Sequence, residues 1–339
     1  MTQNNAIISL KPLGFIWPTV NPFLFCAHHL DNYPGGNGDM GPAASLAGRD
    51  MGQDFTPKDG WRMYHGRKIP GFPVHPHRGF ETITIVRNGF VDHSDSHGQA
   101  GRYGMGDVQW MTAGSGLQHS EMFPLLNTTD KNPTELFQIW LNLPKAKKFA
   151  EPHFKMMWAE EIPIQKLIDD KGKLVEINVI AGTFGNLSSL PVAPDSWAAN
   201  HANEVAVWTV KMERDAQFNI PAASSGVNRT IYFHLGTSIQ INGTTVESNK
   251  AITVNPNMEL TITNGSSESQ LLVLQGKPIE EPVVQHGPFV MNNQAEIQQA
   301  MTDYRQTEFG GWPWPLHEMV HPRSRGRFAK YRDGKEEIR

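Results

Sequence analysis

Short runs of alternating hydrophobic and polar residues recur along this chain, and turns rich in glycine or proline separate them. Phe80–Val86 carries β-branched residues that alternate between two faces, and a tight turn at Asn88-Gly89 follows it. Runs of the same kind lie at residues 136–144, 174–185, 204–213, 229–236, 238–243 and 269–276. Their length and spacing are typical of β-sandwiches and β-barrels, so the pattern predicts an all-β protein.

Three stretches depart from this pattern. Residues 31–70 are rich in Gly, Asp and Pro, which predicts a long surface loop that could cover the mouth of a barrel. Residues 293–305 predict a helix, because Asn293 opens a capping-box-like pattern and an apolar stripe follows at helical spacing. The polar and basic stretch from Arg323 to Arg339 predicts a solvated tail, with a binding arm as the alternative.

Length and charge limit the classes of protein that fit. At 339 residues the chain is too long for one ordinary core, which indicates domains at 1–145 and 146–320 before a tail at 321–339. The net charge of −4 argues against direct nucleic-acid binding, and we find neither an apolar run long enough for a membrane nor a signal peptide. Cys26 is the single cysteine, which suits a reducing compartment, so we expect a cytoplasmic protein.

The candidate chemistry lies in two pairs of residues at a spacing of two. His75 and His77 form the first pair, and His119 and Glu121 form the second. Residues at i and i+2 of a strand point to the same face, and a hairpin-like path between the pairs would bring them together. Three imidazoles and one carboxylate suit a divalent first-row metal and leave positions open for water, dioxygen or a substrate. The pattern therefore predicts a reactive metal site inside a small barrel.

Other histidines have plainer interpretations. His93 and His97 stand beside Asp and Ser residues, so we interpret them as solvated turn residues, with a place at the pocket rim as the alternative. Of the neighbours His28 and His29, at most one could face a common ion, since adjacent strand residues point to opposite faces. Cys26 is interpreted as a packed small hydrophobe.

Several long motifs resemble one known family. The strings HPHRGFETITIV, DHSDSHG, GDVQWMTAGSGLQHSE and LFQIWLNLP resemble pirin, a branch of the cupin superfamily, and a further likeness lies at GPFVMNNQAEIQQAMTDYRQTEFGGWPW. The resemblance implies a bicupin: two β-barrel or jelly-roll domains packed together, with a C-terminal helix. The first domain would be the metal-binding cupin domain, and the second a pirin/cupin-like domain.

The resemblance also implies the ligands and the metal. It assigns His75, His77, His119 and Glu121 as ligands of one divalent metal per chain, with iron(II) the usual ion and nickel, manganese, cobalt or zinc as alternatives. In many cupins a glutamate at the position of Glu81 is a ligand instead, but the pirin pattern favours Glu121. Three differences from the family stand out: the 31–70 loop is longer than expected, NPFLF replaces the more usual DPFL, and the tail beyond Trp314 is additional.

Some pirins cleave the flavonol ring of quercetin with dioxygen and release carbon monoxide, so the resemblance favours a quercetin 2,3-dioxygenase-type enzyme. Glu121 would act as general base on the flavonol, and Phe72, Phe80 and Trp110 could stack on it. The alternative is a non-catalytic, redox-sensing regulator that binds a transcription factor or a metabolic enzyme; a sugar-binding cupin or isomerase is a third reading. We expect a monomer in each case.

Overall fold

The computed structural model describes residues 5–339, and these form short strands and a single α-helix. In chain order the strands are β1 (Ile7–Pro12), β2 (Phe23–Tyr33), β3 (Gly71–His77), β4 (Phe80–Asn88), β5 (Phe90–Asp95), β6 (Ala100–Gly104), β7 (Val108–Thr112), β8 (Leu117–Met122), β9 (Asn132–Asn142), β10 (His153–Met157), β11 (Ile164–Ile168), β12 (Leu174–Ala181), β13 (Thr183–Phe184), β14 (Leu187–Ser188), β15 (Ala206–Met212), β16 (Gln217–Ile220), β17 (Asn228–Leu235), β18 (Ser238–Ile241), β19 (Thr244–Glu247), β20 (Lys250–Val254), β21 (Leu260–Asn264), β22 (Ser269–Gly276), β23 (Val284–His286), β24 (Phe289–Met291), β25 (Phe328–Lys330) and β26 (Glu336–Ile338). Helix α1 spans Gln294–Thr307, and 3-10 turns lie at Lys145–Lys147, Trp197–Ala199, His201–Asn203 and Glu308–Gly310. The all-β prediction is confirmed.

The contacts divide the chain into two compact units, which we name the first and the second barrel. The first barrel comprises His28–Gln138, Leu143–Ala159 and Glu281–Arg339, and the second comprises the described part of Met1–Ala27, Ile139–Asn142 and Glu160–Glu280. This division differs from the linear boundaries expected at residues 145 and 320. It differs because β10 pairs with β7 and β25 pairs with β6, which returns late segments of the chain to the first barrel.

Two sheets face each other in the first barrel. One has the strand order β10-β7-β4-β9-β2, and the other has the order β26-β25-β6-β5-β8-β3. Side chains cross from sheet to sheet: the Thr84 hydroxyl on β4 donates to Glu121 on β8 at 3.1 Å, and His93 on β5 stacks on Phe154 of β10. The inner faces of both sheets therefore line one interior.

The second barrel is built in the same style. A seven-stranded sheet has the order β1-β20-β17-β22-β15-β12-β11, and a four-stranded sheet has the order β16-β21-β18-β19. Alternate residues of these strands bury their side chains, as expected for half-buried strands. Together they form one continuous apolar core, which includes Val175, Trp208, Ile231, Ile252 and Leu271.

The segment between β2 and β3 is irregular, as predicted, but it is not simply a surface loop. Trp61, Met63 and Tyr64 are fully or almost fully buried. The Arg49 guanidinium lies 3.3 Å from the centre of the Trp61 ring and donates to Asp54 at 2.9 Å. The prediction of a surface loop is therefore wrong for this part of the segment, because isolated aromatic and ion-pair contacts leave no periodic signal in the sequence.

The predicted helix is confirmed as α1. The Asn293 side chain accepts a hydrogen bond from the backbone N–H of Glu296, which caps the first turn. Ile297 is buried against β24, while Met301 and Tyr304 are partly buried in the same apolar cluster. No helix within residues 5–339 has the length and hydrophobicity needed to cross a bilayer.

The prediction of a solvated C-terminal tail is wrong. Phe328 and Ala329 are fully buried where β25 pairs with β6, and β26 extends the same sheet. Several of its basic side chains are paired with acids: Arg325 lies 2.9 Å from Glu336, and Arg327 lies 2.7 Å from Asp107. The short alternation in this segment is too weak to predict a strand, and the partner strand lies more than 200 residues earlier in the sequence.

Candidate metal site

The two predicted pairs of residues meet where β3 and β8 run antiparallel. His75 lies directly opposite His119, and a bulge in β3 separates this pairing from that of Phe72 with Glu121. The ring centres of His75, His77 and His119 lie 4.4–4.9 Å apart. One nitrogen of each ring lies within 4.8 Å of the other two, a spacing at which one ion could contact all three. The hairpin-like path expected from the sequence therefore brings the three imidazoles together.

All three imidazoles are held in their neutral form. Burial lowers the pKa of His75 to about 4, and it lowers the pKa of His77 and His119 well below the ordinary value of 6.5. Their mutual proximity adds to this effect for His77 and His119. A neutral imidazole has a free lone pair, which is the form that binds a metal.

His119 supplies a test of whether a metal fits. Its side chain is fully buried, yet neither ring nitrogen has a hydrogen-bond partner among residues 5–339. Burying a polar atom without a partner costs free energy, so such atoms call for an explanation. A metal ion bound at one ring nitrogen of His119 would remove part of that cost, and the donor set fits a first-row divalent ion.

His75 is oriented by a bond outside the site. Its Nδ1 lies 2.8 Å from the backbone carbonyl oxygen of Pro73. A carbonyl oxygen only accepts, so Nδ1 carries the proton and Nε2 is left with the lone pair. Metal-binding histidines usually make such a bond with their second nitrogen, because it fixes the ring and the tautomer.

Glu121 adjoins the three histidines but does not share their close spacing. Its carboxylate accepts hydrogen bonds from the Thr84 hydroxyl at 3.1 Å and from the Gln138 amide at 3.0 Å, and it lies 3.7 Å from Nε2 of His119. Burial raises the pKa of Glu121 above its ordinary value, while nearby His93 and these hydrogen bonds oppose the rise. The carboxylate is therefore held at the edge of the site, and its role as a ligand stays a prediction.

Glu81 lies on the opposite face of β4. Thr84 reaches Glu121 and Phe80 contacts the ring of His77, so these even-numbered residues face the interior. Glu81 points the other way and accepts a hydrogen bond from the Thr112 hydroxyl at 2.7 Å. The geometry thus favours Glu121 over Glu81 as the carboxylate of the site.

The interpretation of His93 as a solvated turn residue is wrong. His93 lies on β5 directly opposite Glu121, is fully buried, and has its ring centre 5.5 Å from that of His119. Its ring stacks on Phe154, and its Nε2 lies 3.3 Å from the Asp95 carboxylate. The inner face of this strand is polar, so the apolar alternation that usually marks a strand is absent from its sequence. His97 does lie in the turn that follows β5, as predicted.

The three predicted stacking residues have different surroundings. Phe72 is partly exposed, with its ring centre 6.3 Å from that of His75. Phe80 is fully buried, 5.1 Å from His77. Trp110 lies opposite Ile83, on the face of the sheet that points away from Thr84 and Glu121, so this placement does not support its assignment to the substrate pocket, which stays a prediction.

Cys26 and His29 belong to packing rather than to the site. Cys26 is fully buried, and burial raises the pKa of its thiol well above the ordinary value, so it is unreactive. His29 is buried and its ring packs edge-on against Tyr64 and Phe72. The interpretation of both residues as packing residues is therefore consistent with their surroundings.

One barrel that gathers three neutral imidazoles, in a chain with a second barrel of the same style, is the arrangement of a bicupin. The pirin family model matches residues 43–141, and the model of the pirin C-terminal cupin domain matches residues 207–310. The chain is 35% identical over 242 residues to Pirin-1 of Arabidopsis thaliana, which covers 71% of this chain and 78% of that protein. The chain therefore belongs to the pirin family of the cupin superfamily.

Two further comparisons agree with this membership. The chain is 35% identical over 239 residues to a pirin-like protein of Solanum lycopersicum, which covers 69% of this chain and 75% of that protein. The crystal structure of a quercetin 2,3-dioxygenase from Acinetobacter baumannii superposes with a TM-score of 0.68 at 26% identity, over 91% of this chain and 99% of that one. The fold similarity thus extends over both barrels.

Proposed function

We propose that the first barrel binds one divalent metal through His75, His77 and His119, with Glu121 as the fourth ligand, and that it opens the flavonol ring of quercetin with dioxygen. The observation that carries this proposal is the buried His119, whose two ring nitrogens lack hydrogen-bond partners among residues 5–339. The similarity to the A. baumannii quercetin 2,3-dioxygenase supports the choice of reaction. Iron(II) is the metal we expect.

A bound divalent metal would supply Lewis acidity toward the flavonol 3-hydroxyl and redox chemistry toward dioxygen. The chain's own contribution begins with Glu121, which would accept the proton of that hydroxyl as general base. Thr84 and Gln138 donate to its two oxygens and so fix its orientation. Phe80 and Phe154 narrow the interior around His77 and His93 and limit the space for water.

The metal content tests the first half of this proposal. We expect about one metal per chain in protein purified without oxygen, measured by elemental analysis. The double variant H75A/H77A should lose the metal and keep its β-sheet signal in circular dichroism. His286→Ala is the matched control, because His286 is exposed and is not one of the three converging histidines. Stoichiometric metal in the double variant would contradict the ligand assignment.

Flavonol turnover tests the second half. The iron-loaded protein should consume quercetin in air, followed by the loss of flavonol absorbance and by carbon monoxide release. Glu121→Ala should lower the rate by about 100-fold or more, since it removes a general base. Glu247→Ala, at an exposed position on β19, should leave the rate unchanged. If the absorbance falls equally fast with wild type and with Glu121→Ala, the dioxygenase function is ruled out and the non-catalytic regulator is the remaining hypothesis.

A further inference from the structure

Three partly exposed aromatic rings lie side by side next to the candidate metal site. We call Phe55, His65 and Phe72 the aromatic wall. The ring centres of Phe55 and His65 lie 5.0 Å apart, and those of His65 and Phe72 lie 5.7 Å apart. Phe72 in turn lies 6.3 Å from His75, so the wall begins at a predicted metal ligand. All three residues are partly exposed, unlike the buried Tyr64 and Phe123 behind them.

The backbone of the 34–70 segment places Phe55 and His65 side by side. Asp54 and Tyr64 exchange two backbone hydrogen bonds, of 2.9 and 3.1 Å, which brings the next residue of each into contact. The Asp54 carboxylate is fixed in turn by Arg49 at 2.9 Å and by the backbone N–H of Met63 at 2.9 Å. The wall is therefore built by a small framework and not by a free loop.

Tyr64 holds this framework in a strained conformation. Its φ of 58° is unusual for a bulky side chain. The buried Tyr64 hydroxyl donates to Asp31 at 2.6 Å, and Arg62 donates to the same carboxylate at 2.9 Å. Such strain persists where the surroundings enforce it, and it concentrates at functional sites. Here it turns the chain so that His65 faces Phe72.

The hydrogen bond of His65 to the backbone leaves its second ring nitrogen, Nε2, as an acceptor on the wall. Its Nδ1 lies 2.7 Å from the carbonyl oxygen of Gly52, which can only accept, so Nδ1 carries a proton. In the neutral ring Nε2 is then a hydrogen-bond acceptor, and no partner for it is found within residues 5–339. The three converging ligand nitrogens belong to other histidines, so His65 is not part of the metal cluster.

We propose that the aromatic wall is the specificity surface for a planar phenolic substrate, with Phe55 and Phe72 making aromatic contacts to its rings and His65 Nε2 accepting a hydrogen bond from a phenolic hydroxyl other than the metal-directed one. This inference rests on the proposed function, because it assumes a flavonol at His75. The rings of the wall meet edge to face, at 73° for Phe55 with His65 and 76° for His65 with Phe72, so they offer both a ring face and ring edges to an aromatic ligand, and the acceptor on His65 favours a hydroxyl donor. A sugar would find no matching set of polar groups on this wall.

Two variants of His65 test the roles of its two ring nitrogens separately. In His65→Asn the amide nitrogen can keep the bond to Gly52, but nothing replaces Nε2. In His65→Gln the side-chain oxygen can reach the position of Nε2. The ligands are quercetin and 3-hydroxyflavone, which lacks the other hydroxyls of quercetin. Their dissociation constants are measured without oxygen on metal-loaded protein, by quenching of tryptophan fluorescence, and the turnover of quercetin is measured in air.

We expect His65→Asn to bind quercetin about tenfold more weakly, the usual worth of one hydrogen bond, and to bind 3-hydroxyflavone as wild type does. His65→Gln should recover most of the quercetin affinity. Phe72→Leu should weaken the binding of both ligands by about tenfold, since each loses the same aromatic contact. His286→Gln is the matched control and should change neither.

The outcomes separate this inference from the proposed function. If wild type binds and consumes quercetin while His65→Asn and Phe72→Leu match it in affinity for both ligands, the wall is not the specificity surface and the proposed function stands. Equal losses for quercetin and 3-hydroxyflavone in His65→Asn would assign His65 a structural role and also overturn the inference. If wild type binds neither flavonol, both the inference and the proposed function fail.

Discussion

At the scale of single side chains, the candidate site lowers the stability of the metal-free fold. His119 is fully buried and its ring nitrogens have no hydrogen-bond partners in the described chain, which costs about 1–3 kcal/mol. An apolar side chain of similar size would not bear this cost. The arrangement is explicable if the residue is kept for a ligand that binds it, in the way that active sites are generally suboptimal for stability.

This argument predicts opposite effects of one substitution with and without metal. His119→Leu should leave the free energy of unfolding of the metal-free protein unchanged or raise it by about 1 kcal/mol, because it removes buried polar atoms that lack partners. The rise in Tm that iron(II) gives to wild type should be absent in the variant. Chemical and thermal denaturation of both proteins, with and without metal, measure this. A large loss of stability in the metal-free variant would mean that His119 has a structural partner.

The pKa shifts of the same histidines predict acid sensitivity. The folded-state pKa of His75 is lowered to about 4, and those of His77 and His119 are lowered well below 6.5. The unfolded chain therefore binds more protons below pH 6.5, so metal-free protein should lose stability as the pH falls from about 6.5 toward 4. His75 alone accounts for a loss of about 3 kcal/mol over this range.

Urea denaturation of metal-free protein at pH 7.5 and at pH 5 checks this dependence. The difference between the two midpoints should shrink in the H75A/H77A variant, which removes two of the groups that must gain protons. His286→Ala should keep the wild-type difference, since His286 is exposed. An unchanged difference in H75A/H77A would show that other groups cause the acid sensitivity.

At the scale of elements, β25 is held on the first barrel by a buried ion pair. Both Nε and one terminal nitrogen of Arg102 donate to the Asp92 carboxylate, each at 2.7 Å, and neither side chain is exposed. The same guanidinium donates to the carbonyl oxygens of His321 at 2.8 Å and of Arg325 at 2.7 Å. Arg102 thus joins β5 and β6 to the segment that leads into β25.

Removing Arg102 should therefore loosen the C-terminal strands. Arg102→Ala should cost about 3–5 kcal/mol, because it leaves the Asp92 carboxylate buried with fewer partners. Limited proteolysis should then cut within residues 321–339 before the rest of the protein. The matched control is Arg332→Ala, which breaks an exposed pair with Glu151 and should cost less than about 1 kcal/mol. Equal costs would show that the C-terminal segment is held by other contacts.

The elements that sequence reasoning predicted and those it missed differ in how local their signals are. The spacing of His75 with His77, and of His119 with Glu121, is a period-2 signal that any strand obeys, so their shared faces were predictable. Helix α1 was predictable from its cap and its apolar stripe. The pairing of β25 with β6 depends on residues more than 200 positions apart, and no local pattern encodes it. His93 was missed because β5 faces a polar interior, where the usual apolar alternation is absent.

At the scale of the whole molecule, both barrels are built from short antiparallel strands, but the three-histidine cluster lies in the first barrel. The three converging histidines all lie on β3 and β8 of the first barrel. The interior of the second barrel is a continuous apolar core built from the seven-stranded and four-stranded sheets. The histidines of its described part, His201 and His234, lie at an exposed 3-10 turn and partly buried on β17. The chemistry we propose therefore needs only the first barrel as its scaffold.

This asymmetry predicts where bound metal protects the backbone. A ligand at 100 times its Kd stabilises the state that binds it by about 2.7 kcal/mol, so local opening of β3 and β8 should become about 100-fold rarer. Amide hydrogen exchange with and without iron(II) should slow in β3, β5 and β8, while the edge strand β11 of the second barrel should exchange at the same rate in both. In H75A/H77A the protection should vanish. Equal slowing of β3 and β11 would place the effect of the metal on the whole chain, and slowing in β11 alone would place the metal in the second barrel.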